Sequence, residues 1–250
     1  MEKRRKRMNE YKISAELIKG ARSIGVLTGA GVSAESGVPT FRGTGGLWNK
    51  CRAEDLATPE AFKRDPVLVW KFYDYRRQLI SKVSPNNAHR ILAKWEKELK
   101  KVEIVTQNID GLHQRAGSEK VVELHGNIWQ AICLEEKRVF QFTENPIKEF
   151  PPKCPFCGGR IRPNVVWFGE SLDPNILKKA YSIFEKVELA IVIGTSAIVY
   201  PAAYLPQLTK SNGGKIIEIN PERTPLSSLT NISFRGKASI ILSEINKYLD

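Results

Sequence analysis

The sequence predicts an α/β fold built on a parallel sheet. Short apolar runs at residues 24–28, 102–106, 189–193 and 215–219 have the length and composition of strands covered on both faces. Amphipathic patterns of helical spacing lie between them. Each run also ends in glycine or small polar residues, and the carboxyl ends of parallel strands are where open α/β sheets bind ligands. With 250 residues and 42% hydrophobic content, the chain can bury one substantial core and carry a small second module.

Taken in order, residues 14–22 have the spacing of a first helix, preceded by a charged, solvated start. The strand at 24–28 opens into Gly29, Ala30 and Gly31, a turn that lets backbone N–H groups approach a phosphate at the start of a helix and so predicts a pyrophosphate site. A dehydrogenase would carry an acidic ribose partner about 20 residues further on, at the end of a second strand. Here Glu54 and Asp55 fall in a polar stretch with no strand before them, so the cofactor must be held differently. Phe41 and Arg42 bring an aromatic ring and a cation close to the turn, suited to screening a reactive centre from water. Residues 44–65, interrupted by Gly45, Gly46 and Pro59, read as an irregular mobile segment over that cofactor.

Asp65 and Pro66 are an N-cap and first-turn pair for a helix running to about Ser81. Val69, Tyr73, Arg76 and Ile80 share one face of it, which sets a guanidinium in an apolar stripe. Arg76 either reaches water or a neighbouring carboxylate there, or joins Tyr73 in receiving a substrate carboxylate. A second amphipathic helix spans 86–99 and holds His89 as a structural residue. The strand at 102–106 ends at Gln107, Asn108 and Asp110, and a short strand from Val121 delivers His125 beside the same cleft, where an imidazole titrates near neutrality.

Cys154 and Cys157, two residues apart, form half of a zinc knuckle, and Cys133 is the third thiol. Glu136 stands where the second half would have a cysteine, so the reading is zinc on three thiolates plus Glu136 or water, or a module without metal; Cys51 is a bystander. Val166, Trp167 and Phe168 make an apolar edge suited to an extended peptide. A helix at 174–186 precedes the strand that ends in Gly194, Thr195 and Ser196, groups able to bond phosphate or ribose. Asn220, after the strand at 215–219, supplies the ribose or adenine partner missing earlier, and Ala238 begins a last helix.

The formal charge of +12 fits an acidic partner such as nucleic acid or a solvated lysine-rich surface, and no basic stripe interleaved with aromatics stands out. The apolar stretch at 189–205 is broken by Gly194 and Pro201, which excludes a membrane span there. The charged start lacks an apolar leader core, giving the expectation of a cytoplasmic protein.

The glycine turn with Ser33, Phe41-Arg42-Gly43, Gln107-Asn108-Ile109-Asp110, His125-Gly126, the paired cysteines, Phe168-Gly169-Glu170, Gly194-Thr195-Ser196 and Ile219-Asn220-Pro221 occur in the order and spacing of the sirtuins, which the chain resembles from about residue 14 to its end. That resemblance implies an NAD-dependent protein-lysine deacylase with an inverted Rossmann-like domain (8–36, 78–127 and 167–250), a cofactor loop and helical module (37–77) and a zinc-ribbon-like module (128–166). It implies that Gly29, Ala30, Gly31, Phe41, Arg42, Gln107, Gly194, Thr195, Ser196, Asn220 and Ala238 line the NAD site. Asn108 and Asp110 would hold the nicotinamide ribose and carboxamide, and His125 would be the general base. Val166, Trp167 and Phe168 would receive the acyl-lysine peptide. In the implied reaction the acyl oxygen attacks the ribose carbon bearing nicotinamide, nicotinamide leaves, and His125 takes a proton from a ribose hydroxyl.

Tyr73 and Arg76 also match the pair that marks sirtuins acting on malonyl- and succinyl-lysine, in agreement with the stripe argument. Zinc is implied as a structural ion, with Glu136 the departure from the family's four cysteines. Two competing readings are protein mono-ADP-ribosyl transfer from the same NAD site and an NAD-regulated module that binds nucleic acid or chromatin.

Overall fold

In a computed structural model describing residues 2–40, 47–48, 51–99 and 101–249, the apolar runs become strands whose alternate side chains feed two separate cores. Helix α1 (Glu2–Gly20) leads into β1 (Ile24–Thr28) and the short α2 (Ala30–Ala34). There follow β2 (Leu47–Trp48), β3 (Cys51–Arg52), α3 (Ala53–Leu56), α4 (Pro59–Arg64), α5 (Pro66–Ser81) and α6 (Asn87–Leu99). Next come β4 (Val102–Thr106), α7 (Leu112–Arg115), β5 (Val121–Glu123), β6 (Gly126–Cys133), β7 (Val139–Gln141) and β8 (Ile161–Val165). The chain continues through α8 (Pro174–Lys186), β9 (Leu189–Ile193), α9 (Leu205–Ser211), β10 (Lys215–Ile219), β11 (Ile232–Phe234) and α10 (Ala238–Asn246).

The main sheet has six strands in the order β11-β10-β9-β1-β4-β5, and every pairing in it is parallel. Successive residues of a strand point to opposite faces. Val26, Ile104, Ile191 and Ile217 therefore lie in one row and pack beneath α1, α6 and α10 through Ile18, Leu92, Trp95 and Ile241. Leu27, Val105, Val192 and Ile216 face the other way, against Phe184 of α8 and Leu205 of α9. Each strand is thus covered on both faces, as its unbroken apolar composition requires. The chain runs outward from β1 through β4 to β5, then returns to β9 on the far side and runs outward to β11, so the sheet reverses direction between β1 and β9.

A smaller antiparallel sheet, β7-β6-β8, carries the cysteines and packs on α5. Trp70 of α5 sits in its core with Cys133, Cys154 and Ile161 and donates its indole N–H to the Ile161 carbonyl at 3.1 Å. Two further residues fasten α5 to the 142–147 connection. Arg77 donates to the carbonyls of Phe142 (2.6 Å) and Glu144 (2.7 Å), and Asp74 accepts from the Ile147 N–H at 2.8 Å.

Two expectations are corrected. The charged start is helical from Glu2, and Arg7 is tied to the Tyr11 hydroxyl at 2.9 Å and the Arg235 carbonyl at 3.2 Å. The segment expected to be irregular holds α3 and α4 in its described part. Pro59 begins a helix there, because it occupies the first turn behind Thr58, whose hydroxyl accepts the Ala61 N–H at 3.1 Å.

Candidate active site

The carboxyl ends of the six strands open into one cavity of about 1210 Å³. Gly29, Ala30 and Gly31 reach it from β1, Gln107, Asn108 and Asp110 from β4, and His125 from β5. From the other half of the sheet come Gly194, Thr195 and Ser196 after β9, Asn220 after β10 and Ala238 at the start of α10. Tyr73, Arg76, Val166, Trp167 and Phe168 line the same space. Phe41 and Arg42 lie outside the described residues.

The glycine turn does something other than offer N–H groups to a phosphate. The Gly29 N–H donates to the Ile193 carbonyl at 3.0 Å, and the Gly31 N–H donates to the Gly194 carbonyl at 2.8 Å. A Cβ on Gly31 would lie 2.7 Å from the Gly194 Cα, and one on Gly29 would lie 2.8 Å from the Gly194 carbonyl oxygen. These glycines let the turns after β1 and β9 touch backbone to backbone at the sheet's reversal point, and Gly194 itself needs its positive φ of 61°. The Thr195 hydroxyl is also internal, accepting from Gln107 Nε2 at 2.9 Å, which ties the end of β9 to the end of β4.

His125 is half-buried, and its Nδ1 lies 2.8 Å from the Gln107 carbonyl. A carbonyl only accepts, so Nδ1 carries the proton and Nε2 keeps its lone pair. Burial holds the imidazole pKa below its ordinary 6.5 against the opposing pull of the Gln107 bond, so the ring is neutral at pH 7. Gly126 fixes the position, because at φ 78° its missing Cβ would fall 2.1 Å from the Asn164 carbonyl oxygen. Asn108 donates both amide hydrogens, to the Gly29 carbonyl and to Ser33 Oγ, each at 3.1 Å, which leaves its amide oxygen as an acceptor. Asp110 accepts the Leu112 N–H at 2.8 Å, and burial raises its carboxyl pKa.

At the other end of the cavity the walls are side chains. Trp167 donates its indole N–H to the Tyr73 hydroxyl at 2.9 Å. The phenol is buried, its pKa is pushed up to about 12 by that burial, and it remains protonated. Arg76 is half-buried on the same helix face, as the spacing predicts, with its guanidinium 5.7 Å from the Phe72 ring centroid. Burial lowers its pKa, an effect opposed in part by the nearby Asp110 carboxyl. Arg162 lies over the Trp167 ring, 3.4 Å from its centroid, and is held by Glu170 at 2.5 and 2.9 Å. The N–H groups of Val166, Trp167 and Phe168 go to the His125 carbonyl, Glu170 and the Ala57 carbonyl, so an extended peptide along this edge must pair with carbonyls.

Ser33, named only as part of the glycine motif, also lines the cavity, as do Glu35, Tyr200 and Lys237, which were not singled out from the sequence. Ser33 lies inside the glycine stretch, where its spacing gave a usable signal. Glu35 accepts from the Ser239 N–H at 3.1 Å and from its hydroxyl, a contact across 204 positions that no local pattern announces.

The thiolate ligands of Cys133, Cys154 and Cys157 converge with a Glu136 carboxylate oxygen, all within 4.8 Å of one another. Zinc–thiolate bonds of about 2.3 Å put tetrahedral sulfurs near 3.8 Å apart. Cys133 and Cys157 are already at 3.5 Å. The N–H groups of Glu136 and Gly159 point at the Cys133 and Cys157 sulfurs, both at 3.4 Å, as donors that stabilise thiolates. The donor set fits zinc with Glu136 as the fourth ligand.

Comparison with known proteins agrees with this geometry. Residues 29–201 match the Sir2 family. An NAD-dependent protein deacylase of Aquifex aeolicus is 54% identical over 228 residues, 91% of this chain and 95% of that protein. One from Thermococcus kodakarensis is 50% identical, covering 93% of each. Among solved structures, a Sir2 homologue in complex with NAD superposes with a TM-score of 0.88 at 45% identity, over 95% of this chain and 94% of the other. A Sir2 bound to acetylated peptide superposes at 0.84 and 32% identity, over 96% and 99%. Fold, strand-end loops and sequence identity over nine-tenths of its length converge on one assignment: the chain belongs to the Sir2 family.

Proposed function

We propose that the chain is an NAD-dependent protein-lysine deacylase that consumes NAD and moves the acyl group onto ADP-ribose. The observation that carries this is the single cavity joining strand-end loops and a neutral His125 at one side to the Tyr73, Arg76 and Trp167 end at the other. The names of relatives and neighbours support it, since they include NAD-dependent protein deacylases, an NAD complex and an acetylated-peptide complex.

In this reading NAD supplies an electrophilic ribose carbon from which nicotinamide departs. Gly194, Ser196, Asn220 and Ala238 border the nucleotide, while Asn108 and Asp110 hold the ribose and carboxamide beside it. His125 accepts a ribose hydroxyl proton at Nε2, its other nitrogen being fixed by the Gln107 carbonyl. Val166, Trp167 and Phe168 receive the acyl-lysine segment, and the buried phenol of Tyr73 keeps water from the acyl end.

Arg76 and Tyr73 extend the proposal to acidic acyl groups. A guanidinium partly withdrawn from water gains more from a carboxylate than from a methyl group, so succinyl- and malonyl-lysine should compete well with acetyl-lysine. Zinc on Cys133, Cys154, Cys157 and Glu136 would be structural, far in role from the chemistry. The proposed domain division keeps 37–77 as the helical module, holding α3, α4 and α5 up to its last turn, and 128–166 as the ribbon module, holding the antiparallel sheet except the first residues of β6. A cytoplasmic location is proposed from the charged start, which has no apolar leader core. None of the described helices is long and apolar enough to cross a membrane. Contact between nucleic acid and the net charge of +12 is a lesser proposal, tested by whether any binding falls away with salt.

The test is one peptide prepared in acetyl-, malonyl- and succinyl-lysine forms and followed by mass spectrometry with and without NAD. NAD-dependent loss of the acyl group is the expected result, with the acidic forms at least as fast as acetyl. No loss from any form would overturn the deacylase reading, and loss of acetyl alone would overturn the carboxylate role of Arg76.

A further inference from the structure

From Glu218 we infer a positioning residue for the nucleotide. It lies on β10, next to Ile219 and Asn220, with its carboxylate turned away from the cavity and 1% exposed. A buried carboxylate is costly unless its oxygens are fully bonded. Here they are. One oxygen accepts from the Thr224 hydroxyl, and the other accepts from Ser227 Oγ (2.7 Å), Ser233 Oγ (2.5 Å) and Arg235 Nη2 (2.8 Å). These bonds hold its pKa below the ordinary carboxylate value despite burial.

The four partners come from two segments that wall one end of the cavity. Thr224 ends the 219–224 loop, which faces the cavity, and Ser227 follows in the next turn, where its hydroxyl also accepts the Thr224 N–H at 2.9 Å. Ser233 and Arg235 precede Gly236, Lys237 and Ala238, which line the cavity after the neighbouring strand β11. The two segments continue from the paired ends of β10 and β11, where Glu218 lies opposite Ser233 and Ile219 opposite Phe234. Past that ladder they meet through the Asn220 N–H to Phe234 carbonyl bond at 3.1 Å and a longer 3.4 Å contact between Gly236 and Asn220. Arg235 also donates to Ser227 Oγ at 2.7 Å, so one carboxylate and one guanidinium span the gap between them. Glu218 sets the separation of the two walls between which a nucleotide sits, without touching it. This rests on the NAD reading above, and it assigns a residue that lines no part of the site.

The test compares ADP-ribose binding, by calorimetry, with binding of an acetyl-lysine peptide in the unaltered chain, Glu218→Gln and Ser227→Ala. Glu218→Gln should weaken ADP-ribose about tenfold and raise the KM for NAD similarly, with peptide affinity and kcat at saturating NAD changed less than about threefold. Ser227→Ala, a milder change that keeps the charge, should weaken ADP-ribose about threefold and supplies the answer if Glu218→Gln does not fold. Unchanged ADP-ribose affinity in folded variants, or equal weakening of peptide and nucleotide, would overturn the inference. Failure of the unaltered chain to bind ADP-ribose would instead remove the NAD reading, and the inference with it.

Discussion

The two ends of the cavity are built from different materials. At the sheet's reversal point the wall is backbone: Gly29 and Gly31 lie against Gly194 so closely that a methyl group would collide, and N–H groups of this turn bond the chain itself. At the other end the wall is side chain, supplied by Tyr73, Arg76 and Trp167 from α5 and the segment after β8. A backbone wall admits almost no variation and suits a ligand common to many proteins. A side-chain wall can be retuned one residue at a time, and α5 carries it on a helix fastened to the cysteine module by Trp70, Asp74 and Arg77. In the proposed reading, substrate choice would therefore be separable from cofactor use.

Changes at each end sharpen or break that contrast. His125, on the strand-end side, should matter most: His125→Ala is expected to lower kcat by about 10²–10⁴-fold, with ADP-ribose affinity nearly kept, as read by nicotinamide release and calorimetry. Gly31→Ala should come next, because its Cβ has only backbone to displace. ADP-ribose affinity should fall more than tenfold while succinyl-to-acetyl preference stays put; a changed preference would break the separation. Arg76→Met should cost the acidic acyl substrates about 10–100-fold in kcat/KM, the range of a charged hydrogen bond, and acetyl-lysine less than about threefold. An equal loss on both would make Arg76 structural.

Smaller effects are expected from metal and pH. Protein purified without added metal should hold close to one zinc per chain by elemental analysis, and Glu136→Ala should speed zinc loss to a chelator; occupancy below about a tenth of an equivalent would contradict a structural site. For pH the sign follows from burial. Because the His125 pKa is lowered, its base form persists below the ordinary 6.5, so the acid limb of kcat/KM should fall under that value and disappear in His125→Ala. A limb above 6.5 would mean that another group controls it.

The parallel strands were legible because burial on both faces writes continuous apolar runs, and α5 because Asp65 and Pro66 mark its start chemically. The cavity's members were legible as strand-end clusters. What each one does was less so. Gly29 and Gly31 look the same in sequence whether their N–H groups serve a phosphate or, as here, a neighbouring turn. The antiparallel sheet was expected only as a ribbon-like module and not strand by strand, because β6 carries polar residues among its apolar ones and pairs with β7 and β8 across connections with no simple period. Glu218 escaped for a related reason: an acidic residue in a buried strand has meaning only once Thr224, Ser227, Ser233 and Arg235 fold around it.

The central claim is that the acyl group leaves lysine for ADP-ribose. It is tested most directly by mass spectrometry of the nucleotide products after incubation of the chain with NAD and a succinyl-lysine peptide. The account predicts ADP-ribose heavier by one succinyl group, formed in step with free nicotinamide and unmodified lysine. A peptide that keeps its succinyl group and gains ADP-ribose, or nicotinamide release that does not need the peptide, would contradict it.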